Sequence, residues 1–387
     1  MRILKLSHGY PPTISGVTLV VRKFARAMVR RGHNVLVITA SESRKPYQTE
    51  DQGVQLKRVF AFPNPFWREG PIPYISLEEL RKEVATFNPD LIHTHEGAIL
   101  GNQLLRLKGE LEVPVVSSSY YLPRYVTHYL TWGSQLINSV MWKYAVWHFN
   151  QFDRVIYSTP TQRDLYIENG LRAPTTVISN GLDTSHYKPG EEGVAEVNAR
   201  YNLPAGPRVL FVGRLMKDKK IDVLLKALVR VRAQCDAHLL LVGRGDEQPA
   251  LQEQAEEQCI RDRVHFLGFV PEEDLPALYR ASDLFAITSI SEVQSIPTLQ
   301  AAATGLPIVA TRAAALPELV ADGLNGFLVP PDDVSATAQA ILRIITDPLY
   351  AENLGQASLA VGRRHAEERS FERYEDFCKM MVFGDLQ

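Results

Sequence analysis

The chain has 387 residues, 45% of them apolar and 22% charged, which suits two or three globular domains with ample core and excludes a disordered or collagen-like chain. Basic and acidic side chains number 42 and 44, a net charge of −2, yet residues 1–185 carry 21 against 15, hence +6, and the remainder 21 against 29, hence −8. That asymmetry argues against nucleic-acid binding by the whole chain, which favours a basic excess throughout, and leaves an anionic surface or ligand open for the first half.

Arg2–Leu6 reads as a buried strand. Apolar positions at Leu19, Val20, Phe24, Ala27 and Met28 predict a helix over Thr18–Arg31, basic on its other face and stopped by Gly32. Asn34–Thr39 is the next strand, followed by Gln55–Val59, Asp90–His95, Val113–Ser118, Arg154–Ser158 and Thr175–Ile178, a βαβα rhythm that means parallel sheet covered by helices. Asp183–Gly193 is polar and turn-rich and reads as a linker. The rhythm restarts with Arg208–Val212, His238–Val242, Val264–Leu267, Asp283–Ile287, Pro307–Ala310 and Gly326–Val329. The expected fold class is α/β: two doubly wound domains facing a cleft, with ligands beyond the carboxyl ends of the strands. Cys235, Cys259 and Cys378 are far apart, which gives no disulfide framework or CxxC knuckle and fits a reducing compartment. No apolar run approaches the ~18 residues needed to span a bilayer, and residues 1–6 lack the order of a secretory signal. The expected chain is soluble and free to sit on a membrane.

Val212-Gly213-Arg214-Leu215-Met216-Lys217-Asp218-Lys219 is the sharpest local signal. A strand delivers Gly213, and two cations, Arg214 and Lys219, surround the start of a helix over Ile221–Val231, where unpaired N–H groups favour a phosphate; the plain reading is a solvated charged loop. Ser291-Glu292-Val293-Gln294-Ser295-Ile296-Pro297 leads into a second helix. Amides at Gln294–Ile296 could face an anion and Glu292 accept from hydroxyls, or Glu292 is a capping carboxylate. His93 and His95 share one face at a strand end, where they cap the strand or line a site; as a zinc pair they lack a third ligand of recognisable spacing. Gly243-Arg244-Gly245 reads as a tight turn.

In this order the segments resemble the retaining GT-B glycosyltransferases of family 4: Gly-Arg-Leu-x-x-x-Lys at 213–219, then a glutamate-led E-x7-E segment from Glu292 running into Ala-x-x-x-Gly-Leu-Pro-Ile-Val. Tyr10-Pro11-Pro12-Thr13-Ile14-Ser15-Gly16-Val17 resembles the family's glycine-rich first loop, Arg31-Gly32-His33-Asn34-Val35 its Arg-Gly-His-x-Val entry, Asn180-Gly181-Leu182-Asp183-Thr184 its Asn-Gly-Val-Asp, and 321–329 its Gly-x-x-Gly-x-Leu-Val segment. The resemblance implies an acceptor-binding Rossmann-like domain over 1–185, a nucleotide-sugar-binding one over 186–367, and a helix over 368–387 that returns to the first. Domain closure is expected with it. It implies a nucleotide-diphosphate sugar, UDP- or GDP-linked, as co-substrate: Arg214 and Lys219 on the diphosphate, Glu292 on the sugar, backbone around Gly268-Phe269-Val270 flanking the base, and Gly16, Gly213, Gly243, Gln294, Ser295 and Ile296 around the donor. No Asp-x-Asp occurs, so neither metal nor other cofactor is expected. The leaving phosphate helps deprotonate the acceptor hydroxyl, and no nucleophilic carboxylate is required.

Two positions depart from the pattern. Gln300 stands where the second glutamate binds ribose, which loses a charge-assisted bond worth about 1 kcal/mol. Tyr120 or Tyr121 stands nearest to where glycolipid-forming relatives have a histidine; a phenol donates to a sugar but is a poor base at neutral pH. His95 matches a histidine on the acceptor side. Thr127–Phe149 holds Tyr129, Trp132, Trp142, Tyr144, Trp147 and Phe149 among His128, Lys143 and His148, and Phe66-Trp67-Arg68 is a second aromatic cluster. These are core, or they attach the basic first half to an anionic membrane. The loop 14–17 and Pro123-Arg124-Tyr125 look like diacylglycerol-glycosylating relatives. The expected activity is therefore transfer of a hexose to a lipid hydroxyl by a cytoplasmic protein peripheral at the inner membrane face. Transfer to a soluble sugar or cyclitol, and nucleotide-sugar binding without turnover, are the alternatives.

Overall fold

Strand β1 (Arg2–Ser7) holds Ile3, Leu4 and Leu6 without exposed surface, as a strand covered on both faces must. The computed structural model describes residues 1–13, 15–64, 70–95, 99–123 and 134–384. One unit comprises Met1–Asn180 with Ser370–Gln387, the other Gly181–Arg369.

In the first unit β1 is followed by α1 (Gly16–Arg30), β2 (Asn34–Ala40), β3 (Tyr47–Asp51), β4 (Val54–Val59), β5 (Ala61–Phe62), β6 (Ile72–Pro73), α2 (Leu77–Phe87), β7 (Leu91–Thr94), α3 (Ile99–Leu107), β8 (Val115–Ser119), α4 (Ser134–Phe149), β9 (Arg154–Tyr157), α5 (Pro160–Glu168) and β10 (Thr175–Val177). Helix α1 starts in a Ser15–Thr18 capping box and buries Val21, Phe24, Ala25 and Met28 at helical spacing. Eight of the strands form one sheet in the order β10-β9-β8-β7-β1-β2-β4-β3, while β5 and β6 make a separate antiparallel pair. Within the eight-stranded sheet every pairing is parallel except β3 with β4. That antiparallel edge departs from the expected all-parallel sheet, and its cause is chemical: Tyr47–Asp51 is polar and half or fully exposed, so no hydrophobic period marks it, while Gly53 takes the positive φ of 84° that the turn needs.

The second unit runs α6 (Val194–Arg200), β11 (Arg208–Val212), α7 (Ile221–Arg232), β12 (His238–Val242), α8 (Gln248–Glu257), β13 (Val264–Gly268), α9 (Leu275–Arg280), β14 (Leu284–Ile287), α10 (Ile296–Ala303), β15 (Ile308–Thr311), β16 (Gly326–Val329), α11 (Val334–Ile345), α12 (Pro348–Arg364) and the start of α13 (Glu367–Phe383). Its six strands are all parallel in the doubly wound order β13-β12-β11-β14-β15-β16. The stretch read as a linker is mostly exposed but anchored at one residue: Tyr187 is buried in the core of this unit, and its hydroxyl donates to Glu272 at 2.6 Å.

Helix α13 lays Phe371, Tyr374, Phe377 and Cys378 into the core of the first unit. Phe371 and Tyr374 meet the Phe24 ring edge-on at 5.2 Å each, a geometry worth about 0.5–1.5 kcal/mol per pair beyond burial.

Candidate functional site

In each sheet the winding reverses once, between β11 and β14 in the second unit and between β1 and β7 in the first. Ligands of doubly wound sheets bind beyond the strand ends at such a reversal, and a polar cluster lies at both.

In the second unit the loops leaving β11 and β14 are stitched together. Ile290 N–H donates to the Asp218 carbonyl at 3.1 Å, Thr288 Oγ1 donates to the carbonyls of Lys219 and Lys220 at 3.0 and 2.8 Å, and Ser291 Oγ donates to the Asp218 carboxylate. These bonds bring Lys219 Nζ within 2.7 Å of Glu292 Oε1, 3.2 Å of Asp218 Oδ2 and 3.3 Å of Ser289 Oγ. Lys219 and Glu292 are 12% and 13% exposed, sheltered enough for a charge-assisted bond to count and open enough for a ligand to divide it. Arg214 on the same loop is exposed and has no ion pair among the described residues. So 73 residues of separation, from Lys219 to Glu292, collapse into one cluster of cation and carboxylate, with the exposed Arg214 five positions earlier on the same loop.

Glycines let the backbone close around this cluster. A Cβ on Gly243 would sit 1.9 Å from the Gly213 carbonyl oxygen, and one on Gly245 2.1 Å from that of Leu215. Gly213 N–H donates to Val242 O at 2.9 Å and Leu215 N–H to Arg244 O at 2.9 Å. The Gly-Arg-Gly turn is thus a backbone-on-backbone contact that supports the Arg214 loop. At Gly16, the first residue of α1, a Cβ would meet nothing within 4 Å; packing among the described residues does not demand glycine there. Gly268 has φ 68° and accepts from Gly243 N–H at 2.7 Å. Phe269 is 68% exposed, whereas the Val270 side chain lies in the core, so only its backbone is available to a ligand.

Ser295 caps α10 by accepting from Thr298 N–H, and Gln294 and Ser295 are buried while Ile296 is half-buried. Gln300 is also buried, and its Oε1 lies 2.9 Å from the Tyr279 hydroxyl. The amide oxygen expected to accept from a ribose is therefore already engaged by a phenol.

In the first unit His95 and Tyr120 are brought together, Nδ1 to hydroxyl at 2.8 Å. Tyr121 goes elsewhere: its phenol acts on those of Tyr157 and Tyr166, and its carbonyl accepts from Gln162 and Tyr166. The ring nitrogens of His93 are taken by Tyr374 at 2.7 Å and Ser118 at 2.8 Å, and Lys5 Nζ lies 3.2 Å from His95 Nε2. A cation beside two occupied imidazoles is the reverse of a zinc site. His93, His95, Ser118, Tyr120, Ser158 and Asn180 line a cavity of about 20 Å³, room for one water. Lys5 escaped the sequence reading, although a lysine between Leu4 and Leu6 in a strand buried on both faces is the signal that would have found it.

Of the aromatic stretch, Trp142 and Phe149 of α4 are buried, while Leu136, Val140 and Trp147 are 72%, 58% and 56% exposed. Arg124, Tyr125, His128, Tyr129, Trp132, Ile14 and the Phe66-Trp67-Arg68 cluster lie outside the described residues. No helix among the described residues is long and apolar enough to cross a membrane.

Residues 206–347 match the family described as glycosyl transferases group 1, and residues 14–186 match glycosyltransferase family 4. Over 382 residues the chain is 26% identical to the alpha-monoglucosyldiacylglycerol synthase of Streptococcus pneumoniae, covering 97% of this chain and 86% of that protein. It is 31% identical over 392 residues to the D-inositol 3-phosphate glycosyltransferase of Saccharomonospora viridis, covering 93% and 87%. The structure of Anabaena HepE in complex with UDP-glucose shares the fold, with a TM-score of 0.77 at 22% identity over 97% of this chain and 99% of that one. Two Rossmann-like sheets, each ending in a polar cluster at its reversal, and relatives aligned along nearly the whole length identify the chain as a family 4 glycosyltransferase of GT-B fold.

Proposed function

We propose that this transferase moves a hexose from a UDP-sugar to a lipid hydroxyl, with retention at the anomeric carbon and with Lys219 and Arg214 rather than a metal on the leaving diphosphate. The observation that carries it is the Lys219–Glu292 pair at the sheet reversal, on a loop that also bears the exposed Arg214. A diphosphate entering there replaces Glu292 as the acceptor from Lys219, gains a second cation from Arg214, and releases the Glu292 carboxylate for sugar hydroxyls. Negative charge develops on the diphosphate as the glycosidic bond breaks, so fixed cations and loop amides stabilise the transition state more than the bound donor. The leaving phosphate oxygen takes the proton of the attacking hydroxyl on the same face of the sugar, which keeps the anomeric configuration. The exposed Phe269 ring offers a stacking surface for the base. UDP-glucose in the HepE structure supports a uridine donor.

The streptococcal relative, an alpha-monoglucosyldiacylglycerol synthase, supports a diacylglycerol-like acceptor, and so does α4. Its exposed Leu136, Val140, Tyr144 and Trp147 fall four, four and three residues apart beside Lys143. That is the pattern of a helix lying in a membrane interface, at the inner face for a cytoplasmic protein, with each large side chain worth about 1.5–3 kcal/mol on full burial. The inositol-phosphate relative favours a soluble cyclitol as the second reading. The test is mass analysis of products from UDP-glucose with dioleoylglycerol micelles and, separately, with inositol 3-phosphate. Glucosylated lipid is expected; product only in the inositol arm gives the second reading, and donor consumption in neither arm overturns both. Leu136→Glu with Trp147→Glu is expected to abolish co-sedimentation with phosphatidylglycerol vesicles while leaving the melting temperature within about 2 °C; unchanged sedimentation removes α4 as the docking face.

A further inference from the structure

At the reversal of the first sheet, one face changes character along the strands. Ile3, Leu91, Val116 and Ile156 are apolar, and the next residues on the same face are Lys5, His93, Ser118 and Ser158, followed by His95 and Tyr120. Lys5 has no exposed surface. No carboxylate is within ion-pair reach of it among the described residues; Tyr374 Oη at 2.7 Å, His95 Nε2 at 3.2 Å and His93 Nδ1 at 3.5 Å surround its ammonium. Helix α13 covers it with the Tyr374 ring, 4.4 Å away, and with Cys378. Leucine at this position would pack at no electrostatic cost, as Leu4 and Leu6 do, whereas a buried unpaired ammonium is expensive.

We propose that the charge of Lys5 sets the tautomer of His95 and, through it, the direction in which the Tyr120 hydroxyl donates. With Lys5 protonated, Nζ–H donates to His95 Nε2, so the imidazole proton sits on Nδ1 and donates to the Tyr120 oxygen. The Tyr120 proton then points away from His95, available to a substrate oxygen. With Lys5 neutral, its lone pair accepts from His95 Nε2–H, Nδ1 becomes an acceptor, and the Tyr120 proton turns inward to it. Each form holds the same protons less the one lost from Nζ. Lys5 is thus a positioning residue acting through His95; its consequence for transfer rests on the proposed transferase reading and on the expectation that a phenol in this loop donates to the sugar.

Among the groups that face this ammonium, it is the one poised near neutrality. Burial lowers Lys5 to about 7. Burial, reinforced by Lys5, holds His93 well below its usual value, and His95 likewise with His93 adding to the effect; His8 is also lowered by burial. Tyr120 and Tyr374 are raised by burial, and Cys378 is pushed up to about 12.

Long-range 15N–1H correlation spectra of 15N-histidine protein decide the matter without any substrate. In the wild type the His95 proton is expected to move from Nδ1 to Nε2 between about pH 6 and about pH 8.5, and in Lys5→Met it stays on one nitrogen throughout. A wild-type His95 that keeps one tautomer across that range overturns the proposal. Transfer from UDP-glucose gives the second arm: wild-type kcat is expected to fall about tenfold over the same range, Lys5→Met to show no such fall, and Lys5→Met to add nothing to Tyr120→Phe. If Lys5 merely anchors α13, Lys5→Met lowers kcat by one factor at every pH and the alkaline fall remains, which also overturns it. A tautomer switch in a protein that transfers nothing from UDP-glucose supports the relay and sinks the transferase reading separately.

Discussion

Lys219 is the residue whose surroundings constrain its chemistry most tightly. Two carboxylates and a serine hydroxyl hold its ammonium where a diphosphate would lie. Lys219→Met is expected to lower kcat about 10²–10³-fold, the usual consequence of deleting one donor to a developing anion, with far-ultraviolet circular dichroism unchanged; activity within twofold of wild type would remove Lys219 from the chemistry. Glu292→Gln keeps an acceptor and loses its charge, so a smaller fall is expected in the same assay. Gln300 offers the opposite experiment. Its oxygen faces the Tyr279 hydroxyl at 2.9 Å, and that phenol would satisfy a carboxylate as well. Gln300→Glu is therefore expected to tighten UDP binding about five- to tenfold by calorimetry through a charge-assisted bond to ribose. Unchanged affinity would separate α10 from the ribose.

Among the elements, the crossing of the β11 and β12 loops leaves little tolerance for change. Gly243 and Gly245 place backbone where any side chain would enter a neighbouring carbonyl. Gly245→Ala is expected to destabilise by about 2–4 kcal/mol, in the range of strain at a special backbone site, measured by urea unfolding. Gly16→Ala, with open space at its Cβ, is expected to leave stability unchanged in the same measurement. Helix α4 behaves differently from both: Trp142, Ala145 and Phe149 secure one side to the core, and the other side is apolar yet exposed, a pattern that packing within the unit does not require.

For the whole molecule, the return of α13 to the first unit depends on both packing and charge. Glu375 accepts from Arg31 Nη1 at 2.9 Å and lies 2.7 Å from Lys379 Nζ and 3.3 Å from His33 Nε2. Lys379 first, with Arg31 and His33, holds its carboxyl down at about 2. A carboxyl depressed in the folded state contributes stability above its unfolded pKa and loses it as the pH falls toward the folded value. The melting temperature is therefore expected to drop more steeply between about pH 5 and pH 2.5 in the wild type than in Glu375→Gln; parallel curves would show that this cluster does not secure the helix.

Much of this is legible in the amino-acid sequence. The alternation of apolar runs and helical faces determined two parallel α/β sheets, because strands covered on both sides must be continuously apolar, as Val209–Phe211 and Leu239–Leu241 are. The residue types at 213–219 and 292–300 pointed to the proposed chemistry, since cations at strand ends suit phosphate and a carboxylate suits hydroxyls. Tertiary structure alone decided which of these meet. Lys219 pairs with Glu292 because β11 and β14 become neighbours at the reversal, Tyr120 rather than Tyr121 reaches His95 because successive residues leave a strand on opposite faces, and Gln300 spends its oxygen on Tyr279. Lys5 acquires its unusual environment only when β7 and α13 close over it. Periodicity reports burial along one element, whereas proximity between residues far apart in the chain is a property of strand order, which local sequence does not encode.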